Sequence, residues 1–146
     1  MDRRIDYKIV APGAFRAMIG LEEYVRKSGL DRSLLELVKV RASQINGCAY
    51  CLEMHTREAR AAGETEQRLD VLAAWREAPF YSERERSALA WAECVTLVSA
   101  AGVSEDVYQA TRAHFTEEEL VNLTMAIVAI NGWNRLAVSF RTPVGS

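Results

Sequence analysis

The stretch Ile45–Gly63, INGCAYCLEMHTREARAAG, holds two of the chain's three cysteines and one of its two histidines. Asn46-Gly47 is a break, and the residues after it run to a second terminator at Gly63 without an internal breaker. The spacing predicts a helix that begins near Cys48. On such a helix Cys48, Cys51 and His55 are separated by three, four and seven residues, so all three share one face. An i to i+3 pair has its Cα atoms about 5–6 Å apart, within the range that a disulfide tolerates. The first turn of a helix also favours an anion, and a thiolate there has a lowered pKa. Three readings follow from these residues: a redox pair, a metal site, or two buried thiols beside an incidental imidazole.

Working outward, the chain reads as helices punctuated by caps, with no strand, low-complexity tract or internal repeat. After an extended N-terminal arm, Pro12-Gly13 opens AFRAMIGLEEYVRKSG, in which Ala14, Met18, Leu21 and Val25 recur at helical spacing and Gly29 is the stop. Asp31 is a predicted N-cap for RSLLELVKVRASQI. ETEQRLDVLAAWREA is a further short helix stopped by Pro79. Ser82 with Glu85, and Thr116 with Glu119, each spell a capping box. The first precedes RSALAWAECVTLVSAAG, and the second precedes the very apolar LVNLTMAIVAINGWNRLAVSF. Ser104 caps a short amphipathic helix between them. A helix apolar on most sides has to be covered on most sides, so the last one is a core helix or a subunit contact. The predicted fold is all-α, with six or seven helices in one domain over residues 1–146.

Bulk properties exclude several classes. The chain has 146 residues, a formal charge of -2 and 26% charged residues, with a sequence pI near 5.8. Nothing in that balance suggests a nucleic acid or an anionic membrane as partner. An odd number of cysteines rules out a fully paired extracellular framework. The N-terminal MDRRIDYKIVAPG lacks a signal-peptide core, and LTMAIVAI is too short to span a bilayer. The expected location is the cytoplasm, where a close cysteine pair is more often catalytic or metal-binding than structural.

In the redox reading His55 accepts the proton of Cys51, which makes Cys51 the attacking thiolate and Cys48 the resolving thiol that closes a disulfide. An imidazole in this role needs an orienting third group. Glu36, twelve residues before Cys48 on the preceding helix, is the candidate. A structural zinc site needs four ligands, and Cys48, Cys51 and His55 supply three. Cys94 reads as a core thiol and His114 as a cation near a helix end. Asn131, Trp133, Asn134 and Arg135 place polar groups within an apolar helix, where they need partners in a loop or a neighbouring subunit. Tyr50 either lines a pocket or fills a subunit contact.

The pattern Glu36-x11-Cys48-x2-Cys51-x3-His55 resembles that of the alkylhydroperoxidase D (AhpD) family, within the carboxymuconolactone decarboxylase superfamily. The core block is ELVKVRASQINGCAYCLEMHTREARAAGE. RLDVLAAWREAPFYSERERSALAWAECVT and AIVAINGWNRLAVSFRTP look like segments of its short members. The resemblance implies a helical bundle with the CxxC at the N-terminus of a core helix, and a homo-oligomer, commonly a trimer or hexamer. It implies a thiol-dependent alkyl hydroperoxide reductase or disulfide oxidoreductase with no cofactor. Its substrate would be a hydroperoxide and its reductant a dithiol protein or small thiol. By the same resemblance Cys51 is peroxidatic, Cys48 resolves, and Glu36 and His55 relay protons. One departure stands out: the best-known peroxidase members have histidine before the second cysteine, and here it is Tyr50. A phenol of pKa about 10 does not act as a base at neutral pH, although it donates a hydrogen bond. Two alternatives use the same residues differently: a non-enzymatic redox-sensing or ligand-binding oligomer, and a Cys/Cys/His metal-binding protein.

Overall fold

The computed structural model describes residues 1–146, and every regular element in it is helical. In chain order these are α1 (Tyr7–Val10), α2 (Pro12–Arg26), α3 (Arg32–Asn46), α4 (Ala49–Ala61), α5 (Glu66–Asp70), a 3-10 segment (Leu72–Glu77), α6 (Glu83–Thr96), α7 (Val98–Ala101), α8 (Glu105–Arg112) and α9 (Glu117–Phe140). Six of them, α2, α3, α4, α6, α8 and α9, have eight residues or more. The rest are short pieces at the joints.

Local chemistry sets most boundaries. Both capping boxes form: Ser82 accepts from the Glu85 N–H while the Glu85 carboxylate returns to the Ser82 N–H, and Thr116 and Glu119 do the same. Pro12 opens α2, where its missing N–H costs nothing. Gly47 closes α3 in the left-handed region, with φ 65° and ψ 36°. The Cys48 N–H then reaches back to the Ser43 carbonyl at 3.0 Å.

Three expectations are corrected. The N-terminal arm is not wholly extended, because the Asp6 side chain accepts from the Lys8 N–H and starts the single turn of α1. Asp31 occupies the N-cap of α3, but its carboxylate makes no capping bond. The helix expected across 64–78 breaks at Val71 into α5 and the 3-10 segment. Side-chain bonds hold the pieces on either side of it. The Arg68 guanidinium bridges Glu64 and Glu85, and the buried Trp75 indole donates to Glu93 of α6.

The core is organised around α3. Leu34, Leu35 and Val38 face one apolar cluster with Trp91 of α6 and Leu123 and Ile127 of α9. Leu37 and Val40 face a second cluster with Leu72, Trp75 and Leu89. Covered on both flanks, α3 is the central element, and α4 folds back against it as the second arm of a hairpin. Helix α9 buries Leu120, Leu123, Ala126, Ile127 and Ile130, but Val121 and Val128, seven residues apart, are 60% and 47% exposed. No helix of the chain is long and apolar enough to cross a membrane.

The polar residues of α9 act as a clamp. Asn46, the last residue of α3, donates to Asn131 Oδ1 at 3.0 Å and Asn134 Oδ1 at 2.9 Å. Asn134 donates to Ser43 Oγ at 3.0 Å, and Asn131 to Thr96 Oγ1 at 3.0 Å. Arg135 closes the set on Asn131 Oδ1 at 2.7 Å. Replacing Asn134, 1% exposed, with alanine removes two of these bonds and leaves Ser43 without its donor. The expected cost is about 2–4 kcal/mol, read as a lower urea midpoint at an unchanged m-value.

Candidate active site

The α3–α4 hairpin assembles the site. Because Gly47 turns the chain in the left-handed region, Cys48 becomes the N-cap of α4 and Cys51 its third residue. Cys48 and Cys51 are joined in a disulfide with Cα atoms 5.3 Å apart, and the Cys51 N–H points at Cys48 Sγ at 3.3 Å. A sulfur thus takes the place that a serine or aspartate oxygen fills at most helix starts. Both cysteines are buried, at 1% and 0% exposure.

His55 lies one turn further along α4 and is also buried. Its Nδ1 is 3.2 Å from Glu36 Oε2, so the structure does bring the glutamate of α3 onto the histidine of α4. The same nitrogen is 3.5 Å from Glu58 Oε2 on α4. With Nδ1–H donated to carboxylate, the neutral ring presents a lone pair at Nε2, which makes no hydrogen bond within the chain. On the far side of Glu36, Lys39 Nζ lies 3.6 Å from its Oε1 and 2.9 Å from Glu22 Oε1. A chain of alternating charge therefore runs Glu22–Lys39–Glu36–His55–Glu58. Burial pulls the His55 pKa down, but the hydrogen bonds it donates to Glu36 and Glu58 and the Glu36 charge outweigh it, leaving the imidazole above its ordinary 6.5. The His55 hydrogen bond, against the opposing effect of burial, holds the Glu58 carboxyl below its usual range.

Glu58 and Lys39 were not singled out from sequence, although each had a signal. Glu58 stands three residues after His55 and Lys39 three after Glu36, both at same-face spacing. Other candidates are placed plainly. Cys94 is only half-buried, because its side of α6 is not fully covered, and it is not the core thiol expected. His114 is exposed. Tyr50 is half-buried and lines two cavities. Trp133 stacks edge-on against Phe15, with ring centroids 5.9 Å apart, and also faces a cavity.

Two cavities flank the α4 N-terminus, and Tyr50 is the one residue common to both linings. One, of about 410 Å³, is bounded by Cys48, Ala137, Val138 and Arg141. The other, of about 700 Å³, contains Glu36, His55 and Glu58 among its walls. One ligand atom from each of these three lies within 4.8 Å of the others, a spacing that suits a cation. The Lys39 ammonium beside Glu36 works against one, and disulfide-bonded sulfurs are not thiolate ligands. The arrangement suits reversible dithiol–disulfide chemistry with a buried, carboxylate-oriented imidazole one turn away.

Comparison with known proteins agrees with this geometry. Residues 12–93 match the model of the carboxymuconolactone decarboxylase family. An uncharacterised protein of Bacillus subtilis, YdfG, is 42% identical over 139 residues, covering 95% of each chain. A crystal structure from Agrobacterium tumefaciens superposes with a TM-score of 0.96 at 46% identity, covering 99% of both chains; that protein is of unknown function and has been suggested to be an antioxidant defence protein, AhpD. The alkyl hydroperoxide reductase AhpD of Bradyrhizobium diazoefficiens is 38% identical over 58 residues, 40% of this chain and 29% of that protein. An all-helical bundle with a CxxC at the start of a helix and AhpD-like relatives in both sequence and structure, the chain belongs to the carboxymuconolactone decarboxylase family.

Proposed function

We propose that this protein is a thiol-dependent hydroperoxide reductase. The observation that carries the reading is the disulfide at the N-terminus of α4, with His55 one turn away and bound to Glu36. In the reduced form, His55 Nε2 takes the Cys51 proton, and the helix N-terminus favours the thiolate. The thiolate attacks the distal oxygen of a hydroperoxide. The O–O bond breaks, the alkoxide leaves with the proton from His55, and Cys51 becomes a sulfenic acid. Cys48 then attacks that sulfur, releasing water and closing the disulfide. Two electrons have passed from the thiol pair to the peroxide, and a dithiol reductant returns them by thiol–disulfide exchange.

Glu36 holds the His55 tautomer and stabilises the imidazolium formed midway. Glu58 shares the second task. Tyr50, where the best-known peroxidases of the resembling family carry histidine, supplies a hydrogen-bond donor in place of a second base. The exposed valines of α9 fit a homo-oligomer, the assembly that the family resemblance implies. The cytoplasm, with its pool of reduced dithiols, is the compartment in which this cycle runs.

Three outcomes test the reading. Wild-type protein consumes many equivalents of cumene hydroperoxide per subunit with dithiothreitol present, Cys51→Ser consumes none above background, and Cys48→Ser is oxidised once and stops. A wild type that also stops after one equivalent would instead mark a redox switch. Second, His55→Gln and Glu36→Gln each lower kcat/KM, the first by about 10²-fold or more, the usual contribution of a positioned general base. Third, neutral His55 is the working base, so its raised pKa places the acid limb of kcat/KM above pH 6.5. Glu36→Gln removes the largest upward contribution and moves that limb to lower pH. An unmoved limb in a folded, active variant would remove Glu36 from the relay.

A further inference from the structure

The 700 Å³ cavity is built from one face of each of three helices. Helix α2 contributes Phe15, Ile19, Glu22 and Arg26, at spacings of four, three and four. Helix α3 contributes Arg32, Leu35, Glu36 and Lys39, and α4 contributes Tyr50, Met54, His55 and Glu58. Tyr7 and Lys8 of α1 and Trp133 of α9 close one end. The cavity therefore has a direction. At the α4 N-terminus its wall is aromatic, from Tyr7, Phe15, Tyr50 and Trp133. At the opposite end, where α2 finishes and α3 begins, stand Arg26 and Arg32. Tyr50 and Glu58 are separated by about 12 Å along α4 at 1.5 Å per residue, and His55 lies between them.

The charges are uneven as well. Four cations in the lining, Lys8, Arg26, Arg32 and Lys39, face three carboxylates, Glu22, Glu36 and Glu58. Lys39 is engaged by Glu22 and Glu36, and Lys8 lies over the Phe15 ring at 5.3 Å. Arg26 and Arg32 have no carboxylate within ion-pair distance, unlike Arg60, Arg68 and Arg84 elsewhere in the chain. The Arg32 charge does reach Glu58, whose pKa it helps to lower. With His55 neutral, one surplus positive charge suits a monoanion, and three carboxylates in the same space repel a more highly charged group such as a phosphate.

From this arrangement we infer that the cavity is the binding site for an amphipathic monocarboxylate. Its anionic head lies between Arg26 and Arg32, and its apolar body runs along α2 and α4 toward the aromatic end. On the hydroperoxide-reductase reading, on which this part of the inference rests, the substrate is a fatty-acid hydroperoxide carrying its O–O group part-way along the chain, level with His55. The peroxide is reduced to the hydroxy acid and water while Cys48 and Cys51 are oxidised to the disulfide. Neither cysteine lines this cavity. His55, on the same helix face as Cys51, and Tyr50, its neighbour in sequence, form the part of the lining adjoining Cys51, and the Cys51 sulfur has to enter there to bond the peroxide oxygen.

The test is calorimetric binding of two unreactive probes, decanoate and 1-decanol, at low ionic strength. Decanoate is expected to bind about tenfold more tightly, the difference made by charge-assisted bonds to a partly exposed guanidinium pair. The acid-to-alcohol ratio falls toward one in Arg26→Gln/Arg32→Gln and, for wild type, on adding salt, because both arginines are at the rim. Equal binding of acid and alcohol, binding of neither, or a preference that survives in the double variant overturns the inference. Turnover is read separately with linoleic acid hydroperoxide and its methyl ester, the acid having the lower KM. Charge-dependent decanoate binding without peroxide consumption supports the site and sinks the reductase reading. Consumption of both peroxides at equal KM sinks the site and keeps the reductase.

Discussion

Two asparagine amides in the most apolar helix, Asn134 fully buried and Asn131 half-buried, constrain everything around them. An amide taken out of water costs several kcal/mol unless its hydrogen bonds are replaced. Asn131 and Asn134 are replaced in full only when α9 lies with those residues against Asn46 and Ser43 of α3 and Thr96 of α6. Apolar packing alone would tolerate a slide of one helix along another, because leucines and isoleucines are interchangeable neighbours at low cost. The amides do not tolerate it. They pin the end of α3, and with it the Gly47 turn, the position of Cys48 at the head of α4, and the level at which α4 runs back past α3. Glu36 meets His55 because that level is set.

The charge chain from Glu22 to Glu58 is a costlier feature. Glu36 and His55 are nearly inaccessible, and a buried ion pair rarely repays its desolvation when compared with packed apolar side chains. Its effect on stability has a definite sign. The His55 pKa is raised in the folded state, so its contribution is fully present below 6.5 and is lost as the pH rises through the folded value. Above that folded value the arrangement gives the fold less. What it retains is a neutral imidazole in a fixed tautomer, which is a chemical asset more than a structural one.

Features written in local spacing were legible in the sequence. The two capping boxes, the Gly47 stop and the shared face of Cys48, Cys51 and His55 all depend on residues within one or two turns of each other. Glu36 became visible through the longer pattern that it forms with them. What escaped was whatever depends on an approach between distant segments. The break at Val71 has no proline or glycine to announce it, and the Arg68 and Trp75 side chains on its two sides are bonded to α6; the unengaged Asp31 carboxylate shows that a favourable residue type does not guarantee a cap. Lys39 had the right spacing, but only the Glu22 carboxylate of α2, seventeen residues away, gives it a place in the site.

Tyr50 touches both cavities, and no other residue does. The side chain at position 50 is therefore a partition as well as a polar group. A phenol is larger than the imidazole of the resembling peroxidases, so the exchange alters bulk in the dividing wall along with proton affinity. Cys48 borders one of the two spaces and His55 the other. In this chain, then, one side chain separates the space bordered by Cys48 from the space bordered by His55.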